Sequence, residues 1–274
     1  MRFKFIGCAV FRHEVEAVSS ASGHEIICDW LPQGLHAAPD VLRAALQNAI
    51  DHVLPAEGVD AILIGFGLCN HGIEGVQARS VPRVVRRVSD CSALLLGSHA
   101  RHRDEVRRHP GAYWFTHGFI QAGGQPGVSG KSRDIFACRE DVSAEHRRIL
   151  GDENAAHLLQ EWPPEWDRKY DHGAFLQWDY PDVDADRAFA RGCASRHGWG
   201  FEEVPADLSL LRRMLCGDWP AEDFVLIQPG QQAVAVHDER ILQSMAPAEA
   251  EKMRSGAVCE ETVTFLVDET GTMS

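Results

Sequence analysis

The sequence predicts an α/β protein built on a parallel sheet, Rossmann-like and three-layered, with two similar halves. Three observations lead there. Near-continuous apolar runs such as Ala61-Ile62-Leu63-Ile64 suit strands buried on both faces. Helix-period segments fall between those runs, which is the βαβ rhythm of parallel sheets. The chain has 274 residues, 45% hydrophobic and 24% charged, an ordinary globular mix long enough for one large domain or two halves.

Taken in order, residues 3–7 read as a short buried strand and 12–21 as the helix after it. Residues 25–29 form a second strand that leads into the loop around Pro32, Gly34 and His36. Pro39 and Asp40 open a helix to about residue 53, with Val41, Leu42, Ala45, Leu46 and Ile50 at helical spacing. Residues 60–67 make the strongest strand, stopped by a Gly-rich turn. A fourth strand over 82–88 precedes a helix over 91–97, and 111–116 add another strand. The glycines of 123–131 mark a boundary. Beyond it, helices are expected over 143–161, 185–197 and 208–216, and strands over 174–178, 200–204 and 224–227. A charged tail from about Ala246 carries one more strand over 262–267. The expected units are therefore 1–122, 123–245 and a C-terminal extension 246–274.

With 27 Lys and Arg against 40 Asp and Glu, the formal charge is −13. Like charges repel, so nucleic-acid phosphate and anionic lipid are excluded as main partners. No apolar run reaches the roughly 20 residues of a membrane helix. The opening residues read as a strand rather than the apolar core of a signal peptide, and a cytoplasmic location is expected.

Eight cysteines are unusual in such a chain. A reducing compartment disfavours disulfides, and no CxxC or close Cys/His cluster marks a zinc finger. Buried packing, a metal site assembled from distant positions and a reactive thiol remain open. Cys8, Cys69 and Cys91 share a feature: they follow the first, third and fourth strands. In an open parallel sheet the carboxyl ends of the strands lie on one edge, where ligands bind, so these thiols are expected to converge there. Three thiolates hold zinc with one position open, or three irons of a four-iron cluster with the fourth iron free. Packing is the competing reading for each, since free cysteine is among the most buried residue types. Cys28, Cys138, Cys193, Cys216 and Cys259 lack this placement and read as packing or incidental thiols.

The turn Gly65-Phe66-Gly67-Leu68-Cys69-Asn70-His71-Gly72 fits neither a dinucleotide fingerprint nor a P-loop. Its backbone amides can nevertheless approach a cluster or an anion, which makes Gly65, Gly67 and Asn70 candidate cofactor contacts. His71 reads as a fourth ligand, an acid/base group or a solvated loop histidine. Asp90 orients a ligand, binds substrate or caps the next helix. His36 lies on the same edge, as an acid/base group or a turn histidine. Arg43 and Gln47 share one helix face, normally a solvated one. Arg79, Arg83, Arg86 and Arg87 form a basic patch, for an anionic ligand or for surface carboxylates. The Arg101–Arg108 stretch, with His99, His102 and His109, reads as an exposed helix. Tyr113-Trp114-Phe115 and the Trp162–Trp166 stretch line a pocket or interface, or fill the core.

These residues resemble a bacterial and archaeal family known as domain of unknown function sixteen thirty-eight. The resemblance runs through His36, Pro39, Leu42-Arg43 and Gln47, and through the block from Asp60 to Cys69. It continues with Ser80-Val81-Pro82, Asp90-Cys91, Leu95-Leu96-Gly97-Ser98 and His109-Pro110-Gly111 with Tyr113-Trp114. Asp207-Leu208, Gly217-Asp218-Trp219, Phe224 and Pro229-Gly230 extend it, so that it spans about residues 1–240. It implies an α/β fold, a role for the motif cysteines and His36, and an association with corrinoid-dependent methyltransferase systems.

Together these readings lead to an expected metal-dependent protein in which Cys8, Cys69 and Cys91 hold an iron–sulfur cluster or zinc. The open position would take a small thiol, sulfur or methylated compound in one-carbon metabolism, with His36, Asp90 or His71 handling protons. The alternative is a non-catalytic accessory protein that carries a corrinoid or metal for a methyltransferase. A corrinoid protein or methyltransferase is the expected partner in either case.

Overall fold

A computed structural model describes residues 1–32, 35–122 and 170–259. Its main sheet has five strands: β1 (Arg2–Cys8), β2 (Glu25–Leu31), β3 (Ala61–Gly65), β4 (Arg83–Arg86) and β8 (Phe224–Ile227). They lie in the order β2-β1-β3-β4-β8. The first four run parallel, and β8 closes the edge antiparallel to β4. Phe3, Phe5 and Ile6 of β1 and Ile62, Leu63 and Ile64 of β3 are all buried, the apolar strand composition that a sheet covered on both faces requires.

Two glycines set the spacing at the carboxyl end of β1 and β3. Gly7 and Gly65 are register partners, and a Cβ on either would stand 2.4 Å from the Phe5 ring. The ring occupies the room their missing side chains leave. Gly65 is thus a packing residue of the sheet.

Helix α1 (Arg12–Ser19) follows β1 through a tight turn at Ala9–Phe11. Helix α2 (Pro39–Asp51) packs against β1 and β2 through Leu42, Leu46 and Ile50, while Val41 faces solvent. Pro39 opens α2 because its fixed φ suits a first helical turn, where an amide hydrogen has no partner anyway. The helix expected over 91–97 is shorter. Asp90 caps α3 (Cys91–Leu95), and Gly97 at φ 76° breaks it. Ser98 then caps α4 (His99–Arg108) by accepting from the Arg101 amide. Reading α4 as wholly exposed is corrected at one position, because His102 is buried.

A second parallel sheet joins β5 (Ala112–Phe115), β6 (His172–Gln177) and β7 (Gly200–Pro205) in that order. Helix α5 (His117–Ala122) packs on the turn after β1, and α6 (Val183–His197) packs on β6 and β7. Strand β5 precedes residue 123 and joins later strands, whereas β8 follows it and joins earlier ones. The segment after β7 reaches the end of α3, where the Asp207 amide donates to the Leu95 carbonyl. Helix α7 (Ser209–Leu215) packs against α1.

A hairpin that the sequence reading missed, β9 (Gln232–Ala235) with β10 (Leu242–Met245), contacts the loop before β4. Its four-residue strands carry too few apolar positions to show a period. Helix α8 (Pro247–Cys259) occupies part of the charged tail. The expected helix over 143–161, the Trp162–Trp166 stretch, the glycines of 123–131 and the strand over 262–267 lie outside the described residues. Among the described residues, no helix is long and apolar enough to cross a membrane.

Candidate metal-binding site

Cys8 ends β1, Cys69 lies four residues past β3, and Cys91 begins α3 just past β4. All three line one cavity of about 590 Å³. The Sγ atoms of Cys69 and Cys91 are 3.5 Å apart. Cys8 interacts electrostatically with both. His36, Asn70, Asp90 and Ser92 contribute polar lining, and Tyr113, Trp114, Phe119 and Tyr170 form apolar walls.

Close backbone packing brings the second and third thiols together. The Leu68 and Cys69 amides donate to the Val88 and Ser89 carbonyls, which continues the β3–β4 contact beyond the strands. Gly67 makes this possible, because a Cβ there would lie 2.9 Å from the Asp90 backbone. Cys69, Asn70 and His71 then turn the chain with φ of 46°, 54° and 64°. Three consecutive non-glycine residues in the left-handed region cost of order 1 kcal/mol each. Arg43 and Gln47 hold that loop rather than facing solvent freely. Arg43 donates to the carbonyls of His71 and Glu74, and Gln47 accepts from the Gln77 amide.

The thiols are electrostatically unequal. Burial pushes Cys8 up. Cys69 is raised by its hydrogen bond with Cys91, with burial adding to the shift. Cys91 is lowered by the same hydrogen bond, helped by the Gly67 amide and by the positive charge of Arg86. Cys91 is therefore the most acidic of the three.

Arg86 is the residue that sequence reading misjudged. Neither Arg83 nor Arg86 belongs to a surface patch, because both are buried in β4. Arg83 donates to the Val76 carbonyl, but all three guanidinium nitrogens of Arg86 are buried without a hydrogen-bond partner. Burial lowers Arg86 to about 9, and negative charge on Cys91 and Cys69 acts against that shift. Proteins rarely bury an unpaired cation, so the fold places this one where thiolate charge can balance it. The flanking Val84, Val85 and Val88 were the available signal, since an arginine inside so apolar a strand has no route to solvent. The outer arginines do behave as surface residues: Arg79 pairs with Asp51, and Arg87 donates to the Ala221 carbonyl.

The remaining predicted residues separate clearly. His36 lines the cavity, its backbone carbonyl accepts from Asn70 Nδ2 at 3.2 Å, and burial lowers its pKa. Asp90 accepts from the Ser92 and Ala93 amides and the Ser92 hydroxyl, and His102 Nε2 stands 3.3 Å away. Despite the opposing pull of burial, these donors lower Asp90 to about 2 and keep it ionised. His71 does not line the cavity. It is half exposed and pairs with Glu74 at 3.1 Å. Cys28 is half-buried, Cys193 is buried in α6 and Cys216 is exposed. Cys138 lies outside the described residues.

No curated protein and no solved structure matches the chain. A family model described as "Protein of unknown function (DUF1638)" matches residues 30–215, a span that holds His36, Cys69, Arg86, Asp90 and Cys91. The chain belongs to the DUF1638 family.

Proposed function

We propose that Cys8, Cys69 and Cys91 hold an iron–sulfur cluster or zinc, and that the protein acts on a small thiol, sulfur or methylated compound in one-carbon metabolism. The carrying observation is the convergence of three thiols on one cavity beside a buried, unpartnered guanidinium. The residues fit such a group by charge, because thiolates on a metal supply the anion that Arg86 lacks.

Thiolates on a single zinc ion, at about 2.3 Å from it, stand about 3.8 Å apart. The Cys69–Cys91 pair is near that spacing. Among the described residues, the three-ligand group with all atoms within 4.8 Å is a different one, so Cys8 is not part of an equally tight trio. The close pair suits two ligands of one ion, whereas a cluster, whose cysteines bind separate irons, requires Cys69 and Cys91 to move apart.

A bound group of either kind supplies a Lewis-acidic position facing the cavity. The chain's own residues do the rest. His36, whose lowered pKa keeps it neutral at pH 7, accepts a proton from an incoming thiol. Asp90 stays ionised, so it fixes Cys91 through the helix cap and donates no proton. Tyr113, Trp114 and Phe119 exclude water. A cavity of this size takes a small molecule. A corrinoid therefore enters the proposal only on a partner protein, a corrinoid protein or methyltransferase. The surrounding architecture is proposed to be Rossmann-like and three-layered, although β5 and β8 cross the expected 122/123 boundary, so that 1–122 and 123–245 are not separate halves.

Anaerobic purification followed by elemental analysis tests the proposal. Stoichiometric iron with a brown visible band, or stoichiometric zinc without colour, is expected, and Cys69→Ser is expected to lose the iron or one equivalent of zinc. Metal-free anaerobic protein would overturn the reading, as would Cys69→Ser with full metal content.

A further inference from the structure

A second group of metal-ligating side chains lies outside the cysteine cavity, at the amino-terminal edge of the second sheet. His109 stands on the turn before β5, where its carbonyl accepts from the Ala112 amide. His172 opens β6, and Glu202 lies in β7. The register explains why they meet. Ala112, His172 and Gly200 are partners across the sheet, and Glu202 is two residues beyond Gly200 on the same face. Gly200 leaves space for the histidine, since a Cβ there would stand 2.6 Å from His172 Nδ1.

The ligand atoms of His109, His172 and Glu202 all lie within 4.8 Å of one another. Glu202 Oε1 is 3.5 Å from His109 Nε2 and 3.8 Å from His172 Nε2. Tetrahedral ligands about 2.0–2.1 Å from zinc stand roughly 3.4 Å apart, so little closure is needed. His172 Nε2 is buried without a hydrogen-bond partner, an expense that a bound ion removes. Arg108 is held mainly by Glu105 and reaches Glu202 only at 3.9 Å, which leaves the carboxylate available.

We propose that His109, His172 and Glu202 form a binding site for a divalent ion of the zinc class, with one ligand from or beside each strand of the second sheet. Two imidazoles and a carboxylate suit zinc and its borderline neighbours better than magnesium or calcium. The two rings now stack with centroids 4.1 Å apart and an angle of 10° between them, and Nε2 of each lies within 4 Å of the same Glu202 oxygen. Binding tilts the rings apart to aim both lone pairs at one ion. His109, on its half-exposed turn, has room to do so. Three protein ligands leave the fourth position to water.

The test is zinc binding to the full chain by equilibrium dialysis, with thiol binding removed by Cys69→Ser and Cys91→Ser together. One equivalent is expected to bind at micromolar zinc. His172→Ala added to that chain should abolish binding, and Glu202→Gln should weaken it on the order of tenfold or more. Absence of binding at about 100 µM zinc by a chain with native circular dichroism would overturn the proposal, as would binding unchanged by His172→Ala. If the double cysteine variant does not fold, the wild-type chain is compared with His172→Ala at saturating zinc. A loss of one equivalent supports the site, and an equal zinc content overturns it.

Discussion

Replacing Arg86 by Met should have opposite effects on the metal-free and the metal-loaded protein. In the metal-free state the guanidinium is buried with no hydrogen-bond partner, and burial lowers its pKa from the ordinary arginine range to about 9. At 1.36 kcal/mol per pH unit, keeping it charged at pH 7 costs about 5 kcal/mol. Relaxation and water entry reduce what an experiment recovers, and roughly 3 kcal/mol is expected when Met fills most of the same volume. For a chain of this size that is a rise in Tm of about 6–12 °C. The sign of the pH dependence is fixed as well. The unfolded chain holds this proton to far higher pH than the folded chain, which holds it only to about 9, so the cost is full below pH 9 and declines above it. With metal bound, the thiolates use that charge, and the same substitution should lower metal retention against a chelator. Thermal melts of chelated protein and a competition assay on loaded protein measure the two halves. A chelated Arg86→Met protein less stable than wild type would refute the charge argument, as would unchanged metal retention.

Glu14 offers a second pH test. It is fully buried, accepts from Trp178 Nε1 at 3.3 Å, and is raised to about 7 by burial. Its folded pKa exceeds the unfolded one, so stability falls as pH rises from about 4.5 to 7. Glu14→Gln should remove that slope and gain up to about 3 kcal/mol above pH 7, read from urea midpoints across pH. Asp90→Ala should cost about 1–2 kcal/mol in the same assay, because α3 loses its cap. His71→Gly should stabilise by roughly 0.5–1 kcal/mol by relieving a left-handed backbone, with metal content unchanged. A fall in metal content on His71→Gly would restore that histidine to the site.

The sequence made the α/β class and the parallel strands legible because apolar runs and helical periods are local signals. Strand ends were legible too, through Gly-rich turns and the Asp90 cap. Reasoning that parallel strands end on one edge therefore brought Cys8, Cys69 and Cys91 toward one place without coordinates. Of the readings open for His71, the exposed loop position follows from three consecutive left-handed residues, a path that local composition does not foretell. The β9–β10 hairpin was missed because its strands are short and its stability comes from contacts with a distant loop.

Other features belonged to the tertiary structure alone. Arg86 looks like one member of a basic patch until β8 and β3 flank its strand and remove it from water. Arg43 and Gln47 look solvated until the loop they hold folds over them. His109, His172 and Glu202 share no motif, and only the register of β5, β6 and β7 brings them together. The local pattern of residues determined which elements form and where each one stops. Which charges lose their water, and which distant side chains meet, was decided by the packing of elements far apart in the chain, because burial and proximity are properties of the whole fold.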